Sequence, residues 1–151
     1  MASHLRLILI AISALLVAAV ADHPRAVQAA APPGYHVVVN PQNTAVSVER
    51  KFVSDAFLKK ATRWPDGEPI RPVDQQPESP ARARFSDEVV KRSVSAVKSY
   101  WQQLVFSGRE IPPPELDTDE EVIRYVLRFP GAIGYVSGAA SVDRVKVVTV
   151  K

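Results

Sequence analysis

Ser79, Ala81 and Arg82 are the residues of this chain best placed by type and spacing to hold a ligand. They lie in DQQPESPARARFSDEVV, which runs from Asp74 to Val90. Serine is a favoured helix N-cap, and proline a favoured first helical residue because its missing N–H would have had no partner there. Ser79-Pro80 therefore predicts a helix start. Its free backbone donors and the helix dipole suit an anion. Most helices that begin this way bind nothing, so the rest of the chain has to support the chemistry.

Much of the usual chemistry is missing. The sequence has no cysteine, which excludes disulfides, thiolate metal sites and a cysteine nucleophile. His36 is the one histidine after residue 29, and a single histidine inside a strand does not make a metal site or a nucleophilic triad. Asp117, Asp119, Glu120 and Glu121 cluster at a helix start, where the dipole accounts for them without acid–base catalysis. No glycine-rich phosphate loop followed by Lys-Ser or Lys-Thr is present. Arg82/Arg84 and Lys91/Arg92 read as solvated helix faces. The expectation is a protein that is not an enzyme and needs no cofactor.

The elements that must position Ser79 begin after a leader. Residues 1–29 read as a signal peptide, with His4 and Arg6 ahead of an apolar run from Leu7 to Ala21. Ala19-Val20-Ala21 and Val27-Gln28-Ala29 both fit a cleavage site, and the second is favoured. A retained anchor is the competing reading, but the run is shorter than the about 20 residues a span needs. Without an N-terminal cysteine to lipidate, a freely soluble periplasmic protein is expected. Removing Arg6, Arg25 and Asp22 leaves 17 basic and 15 acidic residues, a net of +2, which gives no nucleic-acid footprint. Residues 30–151 suffice for one domain.

Tyr35 to Val39 is an apolar, β-branched run that suits a buried strand. Ser47 is expected to cap a helix to Lys60, with Val48, Phe52, Ala56 and Lys60 four apart. The turn Pro65-Asp66-Gly67 follows, with Trp64 expected to cover the core edge. Ile70 to Asp74 reads as a strand kept short or edge-like by Pro69 and Pro72. The helix from Ser79 turns Phe85, Val89 and Val90 inward. Ser93 or Ser95 restarts a helix through Phe106, which Gly108 ends. Arg109 to Leu116, with Pro112-Pro113-Pro114, predicts an extended connector. Thr118 to Glu121 predicts a capping box. Gly131 to Ser137 predicts a strand approached closely by another group at its glycines, and Val145 to Val150 a last strand. The order implies an α/β domain with a mixed sheet flanked by helices.

Three stretches together resemble the phosphate-binding proteins of ABC transporters, in the type II periplasmic binding protein superfamily. They are VVVNPQNTAVS (37 to 47), FLKKATRWPDG (57 to 67) and PGAIGYVS (130 to 137), the last the most specific. The likeness extends from about Tyr35 to Lys151, and SVSAVKSYWQQLVFSGREIPPPE (93 to 115) is typical of the short, single-domain exported proteins of this kind. The resemblance implies a single-lobe fold of the periplasmic binding type.

It also implies what has been lost. Full-length members close two lobes on the ligand. They hold phosphate partly through an Arg-x-Asp-Gly-Ser-Gly-Thr turn, which aligns with Gln75 to Ala81. Here Gln75, Pro77, Glu78, Pro80 and Ala81 replace the arginine, aspartate, both glycines and threonine, and Ser79 alone is kept. Each lost charged hydrogen bond is worth about 1.5–3 kcal/mol, and each 1.4 kcal/mol is about tenfold in affinity. Two functions follow. One is a solute-binding protein for phosphate or another oxyanion, held near Ser79, Ala81 and Arg82, with its second wall from another subunit or protein and a transporter as client. The other is a periplasmic interaction module that keeps the lobe and binds no small solute.

Overall fold

A computed structural model describes residues 34–151, so the expected signal peptide and cleavage site lie outside the described residues. The first strand forms where its β-branched run predicts, β1 at Tyr35–Val39. It pairs antiparallel along its whole length with β6 (Ala132–Ser137), Val37 standing opposite Tyr135 and Val39 opposite Ile133. β3 (Arg71–Pro72) joins the far side of β6 in parallel, and β7 (Lys146–Val147) the far side of β1 antiparallel. The sheet order is β3-β6-β1-β7, a mixed sheet as expected.

Strand alternation divides the core between two faces. Val37, Val39, Ile133 and Tyr135 face a cluster with Phe57, Phe85, Val97 and Trp101. Val38, Ala132 and Val136 face the other, with Val73, Val122, Ile123 and Val126. Gly134 belongs to this second face, where a Cβ would stand 2.8 Å from both Val73 and Val122. At Gly131 a Cβ would meet the Pro69 carbonyl at 1.9 Å. Both expected close approaches are present.

The helices that cover the sheet depart from the sequence reading in detail. Ser47 does not cap a helix. With Val48 it forms β2 (Ser47–Val48), parallel to β8 (Thr149–Val150), and α1 starts later, at Arg50–Phe57, behind an N-cap Glu49 that makes no side-chain cap. A distant strand has outbid a local cap. The final strand likewise splits into β7 and β8, which pair with β1 and β2 respectively. Trp64 is buried at the core edge and donates its indole N–H to the Gly131 carbonyl at 3.0 Å.

α2 (Pro80–Phe85) opens as expected, Ser79 accepting from the Arg82 N–H, and continues into a π-helical turn, Ser86–Val90. α3 (Val94–Phe106) is capped by Ser93 through the Ala96 N–H, and Gly108 ends it at φ +64°. The proline connector finishes in β5 (Glu115–Leu116), which pairs in parallel with β4 (Asp74–Gln75). Sequence reading treated this segment as an unpaired connector. α4 (Asp119–Arg128) carries the full capping box between Thr118 and Glu121. None of the described helices is long and apolar enough to cross a membrane.

Candidate functional site

The three expected site residues sit at the junction of β4, α2 and β6, but the side chains of Ser79 and Arg82 are turned to other groups of the protein. Ser79 Oγ accepts the Arg82 N–H at 3.3 Å and donates to the Gln75 side-chain carbonyl at 2.5 Å. Ala81 is buried in the aromatic half of the core. Arg82 turns inward: its side chain is 3% exposed, pairs with the buried Asp74 carboxylate, and donates to the Gln75 backbone carbonyl at 2.8 Å. The other end of the guanidinium lies 3.4 Å from Glu115. Its Nε is left with no partner, alone among the buried side-chain polar atoms of the described residues. Glu78 stays exposed.

Sequence reasoning missed the residues that organise this junction. Tyr135 donates its hydroxyl to Asp74, and its ring stacks on Phe85 at 4.0 Å between centroids and 11° between planes. The Gln75 N–H reaches the same carboxylate at 3.0 Å. The Gln75 amide then bridges to the Tyr135 carbonyl at 3.0 Å and to Asp119 at 2.8 Å. Asp119, read from sequence as a dipole-complementing charge, also accepts the Ser137 N–H at 2.9 Å and its hydroxyl at 2.5 Å. Only the placement of Tyr135 in the strand PGAIGYVS hinted at this, since a buried tyrosine needs a partner for its hydroxyl.

Burial dominates the electrostatics. It pushes the Asp74 carboxyl up, outweighing the nearby Arg82 charge and the hydrogen bonds from Tyr135 and the Gln75 N–H, which pull the other way. The Tyr135 phenol is also driven far up, first by burial and then by Asp74. It is therefore a permanent donor at neutral pH. Apart from Arg82 Nε, the donors named in this network are committed to protein acceptors, which is the arrangement buried polar groups need to be tolerated. Arg82 touches a groove of about 530 Å³ that Pro77, Trp101 and Glu115 also line, but Ser79 and Ala81 are not part of its walls. The three residues thus share a neighbourhood without sharing a concavity. No group of three or more potential metal ligands occurs among the described residues.

The backbone arrangement is shared with solved proteins. An ABC-type phosphate transport receptor from Vibrio cholerae superposes with a TM-score of 0.60 at 16% identity, over 78% of this chain and 46% of that one. A protein assigned as the substrate-binding component of a phosphate ABC transporter, from Clostridium perfringens and holding phosphate, gives 0.61 at 20% identity, over 78% and 44%. PstS from Borrelia burgdorferi gives 0.58 at 11%, over 78% and 47%. The fold is shared with part of each of these proteins. The chain spans less than half the length of each of those structures. No family model and no curated protein matches its sequence.

Proposed function

We propose that the protein is an exported, non-enzymatic accessory of the solute-binding type that works by contact with a protein partner and does not carry phosphate. The observation behind this reading is the inward turn of Arg82. Its charge is spent on Asp74, and Ser79 is spent on Gln75 and the Arg82 N–H. An anion entering here would have to displace a buried carboxylate. Pro80 offers it no N–H, and the exposed Glu78 repels it. Export rests on the sequence pattern of residues 1–29.

A second reading is favoured by the phosphate held in the Clostridium perfringens structure. Release of Arg82 from Asp74 and of the Ser79 hydroxyl from Gln75 would leave Ser79 Oγ, the Ala81 N–H and the guanidinium for an oxyanion, with the facing wall supplied by a second subunit or a membrane component of a transporter. Calorimetry of the protein against phosphate, sulfate and arsenate separates the two. The expected outcome is no tight binding. A phosphate dissociation constant below roughly 1 μM, about −8 kcal/mol, would overturn the first reading in favour of the second.

A further inference from the structure

α3 carries more apolar surface than the core takes up. Its inner face, Val97 and Trp101 with Tyr100 and Leu104 beside them, packs on the aromatic half of the core. A second stripe at helical spacing (Val94, Lys98, Trp101, Val105) lines the groove of about 530 Å³, and Pro112 and Pro113 of the connector line it too. Phe106, also of this lining, is 89% exposed, and Ile111 just beyond it is 69% exposed. Val105 and Ile111 continue into an adjoining hollow of about 300 Å³ shared with Arg109. A contiguous exposed apolar surface of this kind marks a contact site.

The charges around it are not balanced. Glu115, 3.4 Å from Arg82, shares that single guanidinium with Asp74, and Glu110 lies 3.6 Å from Lys59. Lys98 and Arg109 have no ion-pair partner among the described residues. The groove thus carries one cation without an ion-pair partner, Lys98, and the adjoining hollow a second, Arg109. We infer that this groove docks an acidic, amphipathic segment of a protein partner, with large apolar side chains against Val105 and Phe106 and carboxylates toward Lys98 and Arg109. A second copy of the chain fits less well, because a two-fold contact through this face brings the same cations together. The inference rests on the reading that the protein acts through a partner, and it specifies where and with what chemistry.

The test uses the full chain and two labelled synthetic peptides with Leu and Phe anchors at helical spacing, flanked by Glu in one and Lys in the other. Fluorescence anisotropy should show the acidic peptide binding at least about tenfold tighter, with the preference shrinking as salt is added. Phe106→Ser and Lys98→Glu should each weaken it while leaving the thermal melting transition in place, since both side chains are exposed. Equal binding of the two peptides, binding of neither, or binding indifferent to both substitutions overturns the inference. Sedimentation of the peptide-free protein showing a dimer that Phe106→Ser dissolves overturns it in favour of a second copy. Tight phosphate binding would defeat the proposed function and leave the peptide result standing, so the two failures are distinguishable.

Discussion

The Asp74 carboxylate and the Arg82 guanidinium meet inside the protein, with side-chain exposures of 8% and 3%. One comes from β4 and the other from α2, so the pair ties the strand to the helix that follows it. A pair buried to this depth contributes little net stability against apolar replacements, yet removing one partner strands the other charge at a cost of about 3–5 kcal/mol. Arg82→Met and Asp74→Leu should each destabilise by that order in urea denaturation. The double variant should lose clearly less than the two losses combined. Additive losses would show that the two charges do not depend on each other.

Tyr135→Phe keeps the ring stacked on Phe85 and deletes the donor to Asp74. A hydrogen bond to a charged group is worth about 1.5–3 kcal/mol. The variant should fold with unchanged near-UV aromatic packing apart from the lost phenol and unfold at correspondingly lower urea. A loss within about 0.5 kcal/mol, the range of ordinary surface substitutions, would mean that water replaces the hydroxyl.

Asp74 also sets a pH dependence whose sign follows from its raised pKa. The native state holds the Asp74 proton to higher pH than the unfolded chain, where aspartate titrates near about 3.9. Between those two values the native state binds the extra proton, so this group's contribution falls as pH rises through the window and is constant above it. Asp74→Asn cannot titrate. The stability gap between the native sequence and Asp74→Asn should therefore narrow as pH rises from about 4. A gap that widens instead would show that Arg82 dominates over burial.

Gly131 and Gly134 should be the least replaceable glycines. Alanine at Gly131 sets a Cβ 1.9 Å from a backbone oxygen, which no side-chain rotation relieves. At Gly134 the clash is with valine methyls at 2.8 Å, which can give. Overpacking costs about 1–3 kcal/mol where side chains can adjust, so Gly134→Ala should fold with reduced stability and Gly131→Ala should lose more. Gly67→Ala, in open space at φ +92°, meets backbone strain alone and serves as the control. Thermal melting of the three variants checks the order.

Local patterns carried a good part of the fold. β1, the Ser79 and Ser93 caps, the capping box at Thr118 and the stop at Gly108 are short-range devices, formed by residues within a few positions of one another. Their physics is complete in the sequence. β2 and β5 were illegible for the opposite reason: two-residue strands exist only because a distant segment pairs with them, as Thr149 does with Ser47 and Asp74 with Glu115.

The candidate site divides along the same line. The sequence by itself determined that Ser79 caps a helix, that Pro80 behind it offers no N–H, and that the strand PGAIGYVS would pack closely, since these depend on residue identity and adjacent spacing. Only the tertiary structure decided which way Arg82 points. An arginine beside a helix start can serve a ligand or a neighbour, and the choice falls to whichever carboxylate the fold brings within reach. Here β4 and β6 bring Asp74 and Tyr135, so the charge is answered from within.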